Sequence, residues 1–385
     1  MRGDVTQVGG DYALHADGTI SYLVGGIDGA PAFATTVPGE HGVTQVAAQF
    51  GLWGLLDTGQ GYALHADGTL THLVGLTSSP VGGLGTVTSL ATRHDALAYV
   101  TTADGQVYFI DGTTPHVVLG ATNVATVVAE DVPTWNTSDG LSPGWDATMY
   151  ALDASTLDAA GWAITKDGSV LRLQNMVAEQ VPSLTGVTSV VALEQTPTTA
   201  LAMTSAGAVI ALTSSVNYDS NGIPYLAFQQ TTLGIPTATS FVGGEDFVES
   251  QTQFVRTAGG DVWGVSVVDG TTWAIADVGV SNAQQVQADQ NNLYVVHTDG
   301  TLNAYRFTLA WWTTPSSLQV TPSYQISNVR TVVAHGNAYI VMADGTVLYN
   351  NQMTVGFGDN QGWHAQTGVR TIFCTWQSPC VANLS

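Results

Sequence analysis

A single sequence motif recurs along this chain: an apolar run, then Asp-Gly, then a second apolar run. Its two clearest copies, Tyr12–Ile20 and Tyr62–Leu70, differ only in their last residue. A fixed internal period constrains the fold more than any other feature here, because a unit of this size must bury its apolar faces against its neighbours. Six weaker copies follow, over residues 100–107, 162–170, 201–209, 254–262, 294–302 and 339–347.

Each copy is predicted to form a β-hairpin. Asp-Gly between two apolar runs indicates a two-residue type I′ turn, in which both turn residues take positive φ. Where the aspartate is replaced, Gly207 and Gly260 keep the turn. A third short, β-branched run precedes most hairpins, as in Val43–Ala47 and Val87–Ala91. A fourth run follows several of them, such as Ala32–Val37.

The spacing of the turn glycines gives the size of the unit. They fall at positions 18, 68, 105, 168, 207, 260, 300 and 345, so the gaps average about 47 residues. Three or four short strands in about 40–50 residues is the period of a β-propeller blade. We therefore predict an all-β chain that forms a single β-propeller domain over residues 1–385, with eight blades preferred and seven as the alternative. A β-solenoid is the competing fold, and it is disfavoured because Asp-Gly hairpins require antiparallel pairs.

Two interruptions of the repeat, at about 130–160 and 214–232, are rich in Ser, Asn, Asp, Gly and Pro and are predicted to be surface loops. The last segment, 368–385, repeats the upstream run and adds a partner run, so we expect it to hold the closing strands. Cys374 and Cys380 lie in this segment. Across a hairpin they could form a disulfide, which would imply an oxidising compartment. Two thiols placed together by chance are the alternative.

The charge balance excludes two classes of partner. Thirty acidic residues stand against eight basic ones, for a formal net charge of −22, and Lys166 is the only lysine. Nucleic acid and anionic membranes are bound through clustered Lys and Arg, so neither is expected as a partner. No run approaches the length of about 18 apolar residues that a membrane-spanning segment needs.

The composition and the start of the chain suggest a location. Only 10% of the residues are charged, so the surface must consist mostly of Thr, Ser, Gln, Asn and Gly. Such neutral polar surfaces are associated with extracellular and virion proteins. The first residues run directly into the first repeat without an apolar targeting stretch. We expect an extracellular or virion-surface protein.

The repeat resembles the unit of the regulator-of-chromosome-condensation superfamily. Gly42–Ala47, Ala63–Leu70 and Gly75 match that unit, and Val37–Val43 is similar to the link between blades in secreted β-lactamase-inhibitor propellers of the same superfamily. The Trp-Gly that often ends the second hairpin strand is largely replaced here, although Trp263 keeps it. The resemblance implies a ring of blades whose loops bind a partner. The nucleotide-exchange function of the founding member is not carried over, because that function uses chromatin and this chain is acidic.

Five tryptophans in predicted loops are the best candidates for binding. Trp311 and Trp312 are adjacent, Trp135 and Trp145 lie in the long insert, and Trp53 precedes the second hairpin. Exposed aromatic side chains anchor protein interfaces and stack on sugars. Propellers also bury tryptophan between blades, so packing is the alternative for each of them.

One segment weakly resembles the start of a calcium-binding loop. Asn217, Asp219 and Asn221 place oxygen ligands at alternate positions, but Phe228 stands where a bidentate carboxylate would be needed. A polar turn is the default interpretation, and no other metal or cofactor is expected. The repeated aspartates are assigned to turn chemistry. The repeated His15, His65 and His297 are assigned to half-buried strand positions.

The sequence therefore predicts a non-enzymatic, surface-exposed propeller scaffold. The leading hypothesis is a structural, decorating or adhesive component of a virion or cell-surface assembly that contacts protein or glycan. A secreted protein-binding inhibitor or a lectin-like module is the second hypothesis. A lyase or glycosidase with its site at the channel mouth is the third, and it would need carboxylates, histidines or a cation converging on one end of the channel.

Overall fold

The described part of the chain is entirely β-structure, with turns and links between the strands. It therefore contains no helix long and apolar enough to cross a membrane. The computed structural model describes residues 5–9, 12–24, 33–48, 59–92, 97–129, 160–174, 176–193, 198–218, 220, 224–242, 252–267, 272–289, 292–310, 317–335, 337–344, 346–350, 364–366, 369–373 and 381–384.

The strands of the described residues form eight antiparallel four-stranded sheets and one two-stranded sheet, each built from consecutive strands. Sheets 1 to 4 consist of β1 Val5–Gly9, β2 Tyr12–His15, β3 Ile20–Val24, β4 Phe33–Thr36; β5 Val43–Ala47, β6 Gln60–His65, β7 Leu70–Val74, β8 Thr77–Pro80; β9 Val87–Thr92, β10 Leu97–Thr102, β11 Val107–Asp111, β12 Thr114–Val117; β13 Val124–Ala129, β14 Gly161–Thr165, β15 Val170–Gln174, β16 Val177–Gln180.

Sheets 5 to 8 and the two-stranded tail sheet complete the chain. They consist of β17 Val187–Ala192, β18 Thr199–Thr204, β19 Val209–Tyr218, β20 Pro224–Thr232; β21 Ala238–Val242, β22 Thr252–Thr257, β23 Val262–Val267, β24 Trp273–Asp277; β25 Ala283–Asp289, β26 Asn292–His297, β27 Leu302–Ala310, β28 Ser317–Ile326; β29 Val329–His335, β30 Asn337–Met342, β31 Val347–Asn350, β32 His364–Gln366; β33 Val369–Phe373, β34 Val381–Leu384.

The sheets are arranged as a propeller. The first strand of each four-stranded sheet contacts the first strand of the next, from β1 through β29. The tail strand β33 contacts β30 of sheet 8 and β1 of sheet 1, so the tail sheet lies between the last repeat and the first. The all-β propeller and the preferred number of eight four-stranded repeats are confirmed. The tail strands pair with each other and form a short ninth unit.

The Asp-Gly turns differ from the predicted type. Gly18 has φ +78°, but Asp17 is absent from the described residues with positive φ. Gly18 N donates to His15 O and His15 N to Thr19 O, both at 2.9 Å. This is the three-residue loop in which a type I turn is followed by a left-handed glycine, and the predicted two-residue type I′ turn was wrong. Only glycine needs the special conformation, which explains why Gly207 and Gly260 suffice without aspartate.

The turn glycines of sheets 1 to 7 also join each of these sheets to the next one. Gly18 O accepts a hydrogen bond from Val43 N at the start of sheet 2. A Cβ added to Gly18 would lie 3.0 Å from the backbone of Gly42, so the strands approach too closely for a larger residue. The repeated glycine is thus required twice, by its positive φ and by this contact. The same bond is made by the first residues of the next six sheets, Val87, Val124, Val187, Ala238, Ala283 and Val329.

A β-bulge marks the start of every first strand. At the second position two residues of the first strand lie opposite one residue of the second strand. Where this position is threonine its hydroxyl donates to a carbonyl of the second strand, which stabilises the bend. The donors are Thr6, Thr44, Thr88, Thr188 and Thr239.

The hydrophobic core lies between sheets, and each cluster combines residues of two consecutive ones. The second strand of most sheets contributes one large, fully or almost fully buried side chain to these interfaces. No sheet can bury both of its faces alone, so the ring is stabilised by the neighbours of each sheet. These side chains are Tyr12, Tyr62, Tyr99, Trp162, Phe254 and Tyr294.

Candidate functional site

The two ends of the ring are built differently. The Asp-Gly turns bond to the starts of the following sheets, so they share one end, which we call the turn face. Because neighbouring strands are antiparallel, the connections from first to second strand and from third to fourth strand leave from the opposite end. We call this end the hairpin face. Its connections include the longest interruptions of the repeat.

Among the described residues, two hairpins project clearly from the hairpin face. In sheet 5, strands β19 and β20 continue for five residue pairs beyond the last pair with β18, from Ser214–Phe228 to Tyr218–Pro224. At about 3.3 Å per residue this is an extension of roughly 16 Å. In sheet 7, strands β27 and β28 continue for four pairs beyond β26. In sheets 2 and 3 the third strand ends level with the second.

The insert predicted as a surface loop at 214–232 is therefore largely a hairpin, and that part of the loop prediction was wrong. Its tip carries exposed aromatic residues. Tyr218 is 68% exposed and Tyr225 is 48% exposed, the former the most exposed large hydrophobic residue of the described chain. Phe228, lower on the same hairpin, packs against the core between sheets 4 and 5. The hairpin is thus anchored at its base and presents aromatic rings at its tip.

The two projecting hairpins stand on either side of sheet 6. Tyr225 is paired with Asn217, and the register places both on the side of the hairpin that faces sheet 6. In sheet 7, Phe307 and its partner Val320 pack towards sheet 6, where Phe307 makes an edge contact with Phe254. Strand β28 also contacts β23 and β24 of sheet 6. Tyr225 and Phe307 thus lie on the two sides of sheet 6, but Phe307 is buried in the core there, whereas Tyr225 is exposed.

The five predicted tryptophans, Trp53, Trp135, Trp145, Trp311 and Trp312, lie outside the described residues. The strand ends that flank them are described, and all of these lie on the hairpin face. The connections that carry these tryptophans join β5 to β6, β13 to β14, and β27 to β28. Their role in binding stays a prediction. The cysteines of the predicted disulfide, Cys374 and Cys380, also lie outside, between Phe373 and Val381, which are directly paired in the tail sheet.

The weak calcium candidate lies at the tip of the first projecting hairpin. Asn217 is exposed on β19, whereas Asp219 and Asn221 fall outside the described residues. Among the residues that can be described, no group of three His, Cys, Asp or Glu side chains is arranged to hold a metal. Calcium binding at this tip stays a prediction.

The repeated histidines are used within the fold. His65 Nδ1 bonds to His41 O at 3.0 Å, and its Nε2 lies 2.8 Å from Thr71 Oγ1 and 3.2 Å from the buried carboxylate of Glu40. His297 follows the same pattern, with Nδ1 bonded to Ser281 O. The rings of His65 and His297 thus tie a second strand to the preceding link, whereas the buried His15 places Nε2 2.8 Å from Ser21 Oγ on the next strand.

A shallow cavity of about 390 Å³ lies on the turn face between sheets 4 and 5. Thr126, Thr165, Thr188 and Ser205 line it with hydroxyl groups. The side chain of Lys166, another lining residue, donates to Ala103 O of sheet 3 at 3.1 Å. The hydroxyl and backbone groups that line this cavity can form hydrogen bonds. They differ from the pair of titratable side chains that general acid–base catalysis uses.

The turn face carries a ring of ionised aspartates. Thr69 donates its hydroxyl to the Asp67 carboxylate at 2.7 Å and its N–H at 2.9 Å, and these bonds hold the pKa of Asp67 below its usual range. Equivalent bonds lower the pKa of Asp104, Asp167, Asp299 and Asp344. These carboxylates are structural acceptors that stay charged at neutral pH.

Replacing Asp67 with asparagine is expected to lower the melting temperature at pH 7, because the charged acceptor of the turn is lost. A carboxylate whose pKa is lowered in the folded state stabilises the fold above its unfolded-state pKa, about 3.9, and this contribution disappears as the pH falls through the folded value. The difference from the native chain should therefore shrink below pH 3.9. Thermal unfolding from pH 7 to pH 2.5 measures it.

Asp111→Asn is the matched control, since it removes the same charge from an exposed strand end. It separates the turn hydrogen bonds from the general repulsion of an acidic chain. The melting temperatures of Asp67→Asn and of the native chain could instead differ by the same amount across this pH range. That result would contradict the role of Asp67 as an ionised acceptor in the turn.

Tyr218 and Tyr225 were not among the predicted binding residues. A signal for them was present, because Asn221-Gly222 is a strong hairpin signal that lies between the alternating Val216 and Tyr218 and the apolar run Ile223–Phe228. The alternation was hidden by the Ser, Asn and Asp residues around it, which favour the interpretation as a loop. What no local pattern could show is that this hairpin extends past its neighbours.

No family model matches the chain, and no curated protein matches it. Solved structures with a related arrangement include the computationally designed Ika8 protein, with 14% identity, a TM-score of 0.49 and coverage of 91% of this chain and 96% of that one. Prp20p from Saccharomyces cerevisiae has 12% identity, a TM-score of 0.42 and coverages of 69% and 72%. BamB from Moraxella catarrhalis has 15% identity, a TM-score of 0.42 and coverages of 84% and 88%. Membership of the chromosome-condensation repeat superfamily stays a prediction.

Proposed function

We propose that this chain is a non-enzymatic, surface-exposed propeller scaffold that presents its hairpin face to a protein or glycan, as a structural, decorating or adhesive component of a virion or cell-surface assembly. One observation carries the proposal: two hairpins project from the same end of the ring, and the first exposes Tyr218 and Tyr225 at its tip. Exposed aromatic residues on rigid elements are typical anchors of binding surfaces.

The contrast between the repeated residues and the projecting hairpins supports this proposal. Structural roles account for the residues that repeat from sheet to sheet, namely the turn glycines and, in most sheets, the aspartates, the bulge threonines and the buried aromatic residues. The projecting hairpins are departures from the repeat that the ring does not need for closure. The net charge of −22 disfavours anionic partners, so recognition by aromatic and neutral polar groups fits the surface better than recognition of phosphate.

The location of the protein on particles or cells tests the proposed surface exposure. Antibodies against the purified chain should label intact particles or intact cells of the producing culture without detergent, when viewed by immunogold electron microscopy. Labelling that appears only after lysis, in the absence of labelled particles, would overturn the surface assignment.

Replacement of both Tyr218 and Tyr225 by serine tests whether the hairpin face binds the partner. We expect the double variant to fold normally, because both side chains are exposed, and to lose at least about tenfold in retention on the particle or cell surface. Leu119→Ser with Val177→Ser is the matched control, since these exposed apolar residues lie at the rim between sheets 3 and 4. Equal retention of both double variants would contradict a role for the hairpin face.

Glycan binding is the second candidate function, and Asn217 favours it. Its exposed amide lies directly opposite Tyr225 across the hairpin, so a hydrogen-bonding group stands beside an aromatic ring. Neutral sugars are recognised by this combination. A glycan array probed with the native chain and with Tyr225→Ser would separate a lectin from a protein-binding scaffold, because only a lectin gives signals that the substitution removes.

A further inference from the structure

Strand β20 is an unusually open sheet edge. It is the outer strand of sheet 5, and no strand among the described residues pairs with its free side. It runs for nine residues, whereas the outer strands of sheets 1 to 4 have four residues each. Edges of this kind pair readily with another strand, since one row of backbone N–H and C=O groups has no ladder partner.

The other described outer strands carry features that discourage such pairing. Proline removes a donor, a charge resists burial, a bulge disrupts the ladder, and a very short strand offers few bonds. In β20 the only proline, Pro224, is the first residue at the hairpin tip, and the following eight residues are uninterrupted. The protecting features elsewhere are Pro80 in β8, Pro115 in β12, Glu179 in β16, Asp277 in β24, Pro322 with a bulge in β28, and the three-residue length of β32.

The register shows which backbone groups point outwards. Leu233 N donates to Val209 O at 2.9 Å, so the neighbouring pair of Ile210 and Thr232 does not exchange hydrogen bonds. Alternate residues of an antiparallel pair behave alike. The backbone N–H and C=O groups of Leu226, Phe228 and Gln230 therefore point away from β19.

The distribution of charge shows where a second copy of this chain could approach the edge. Two copies with a net charge of −22 repel each other over most of their surface. Strands β19 and β20 contain no Asp, Glu, Lys, Arg or His, so two β20 strands can pair without placing like charges opposite each other. The one carboxylate of segment 209–232, Asp219, belongs to the connection between these strands. The residues along the open edge are neutral and partly apolar, from Tyr225 through Phe228, and suit an identical strand.

We propose that β20 pairs antiparallel with β20 of a second copy of this chain. With Phe228 on the two-fold axis, Leu226 of one copy lies opposite Gln230 of the other, and each outward N–H and C=O group of these residues gains a partner. A continuous eight-stranded sheet then runs from one ring into the other. The inference goes beyond the proposed function, which a monomer could also perform.

Sedimentation velocity of the full chain tests the pairing. We expect a mass of twice 40.1 kDa that falls to a single chain on dilution. Leu226→Pro removes one outward donor while the inward ladder to β19 is kept, and we expect it to weaken association at least about tenfold. Leu226→Val is the control at the same site, because it keeps the N–H and should still dimerise.

A second pair of variants keeps the test decisive if Leu226→Pro misfolds. Gln229→Glu places a like charge close to the two-fold axis and should also weaken the dimer, whereas Gln325→Glu makes the same change on the exposed edge strand β28 and should not. A native chain that stays monomeric at high concentration overturns the inference. So does a dimer that Gln229→Glu and Gln325→Glu weaken equally. Surface labelling and loss of retention in the tyrosine variant would be unaffected by either outcome.

Discussion

Replacing Gly168 with alanine is expected to destabilise the protein by about 2–5 kcal/mol, from a conformational cost of about 1–2 kcal/mol and a packing cost of about 1–3 kcal/mol. Gly168 has φ +81°, which alanine adopts at a cost. The added Cβ would lie 2.9 Å from Gly186 Cα and N, and these backbone atoms belong to the link into sheet 5. Sheets 4 and 5 would have to move apart. Chemical unfolding followed by circular dichroism measures the loss.

Gly39→Ala separates the two causes. Gly39 has φ +82°, almost the same as Gly168, but nothing lies within 4 Å of an added Cβ. This control should therefore cost only the conformational part, about 1–2 kcal/mol. If both variants were destabilised equally, the close approach between sheets would contribute nothing, and the repeated glycine would be explained by its φ alone.

The turn glycines show which parts of the fold could be predicted from the sequence. The order and pairing of strands followed from the repeat, because the glycine turn and the apolar runs beside it are local features. The turn type was predicted wrongly, since the residue before Asp17 belongs to the loop and the aspartate accepts from Thr19 two residues later. The dipeptide alone does not distinguish these two turns, as both need a glycine with positive φ.

The position of the tail required contacts that a sequence repeat cannot show. Its first strand could be recognised by likeness to the other first strands, and its pairing with a second run was predicted. That β33 lies against both β30 and β1 depends on the curvature accumulated over eight sheets. Blade number in a propeller is a property of packing between sheets, so the sequence left seven as an alternative.

The exposed residues of the candidate site were not predicted, for a related reason. The five tryptophans proposed for binding lie outside the described residues and stay a prediction, whereas Tyr218 and Tyr225 were assigned to a surface loop. Their exposure arises because β19 is longer than β18, which is a relation between two strands. A local pattern can predict each strand, but the part of a hairpin that extends beyond its sheet is defined by the neighbour that ends first.

Replacing Trp162 with alanine is expected to cost about 3–5 kcal/mol, the range for removing a large buried aromatic residue. Trp162 is fully buried between sheets 4 and 5, where it belongs to the same cluster as Val190 and Leu212. The guanidinium of Arg172 lies 4.9 Å from the centroid of its ring and is itself almost fully buried. Alanine would leave a cavity and would also remove the aromatic face from a buried cation.

A double-mutant cycle with Arg172→Met separates these two effects. Methionine keeps most of the apolar stem and removes the charge, so the cation–π contact is already absent when Trp162 is then replaced. We expect Trp162→Ala to cost about 1–2 kcal/mol less in the Arg172→Met background than in the native chain. Additive costs would show that the ring acts by packing alone.

The same variants report on cooperativity around the ring. Each sheet is stabilised by its two neighbours, so a loss at the interface of sheets 4 and 5 should be felt first by the strands on either side of it. Hydrogen exchange in Trp162→Ala should therefore accelerate in β14 to β19 before it changes in β22 to β26. Uniform acceleration in every sheet would indicate instead that the closed ring unfolds as one unit, because opening one interface then releases all the others.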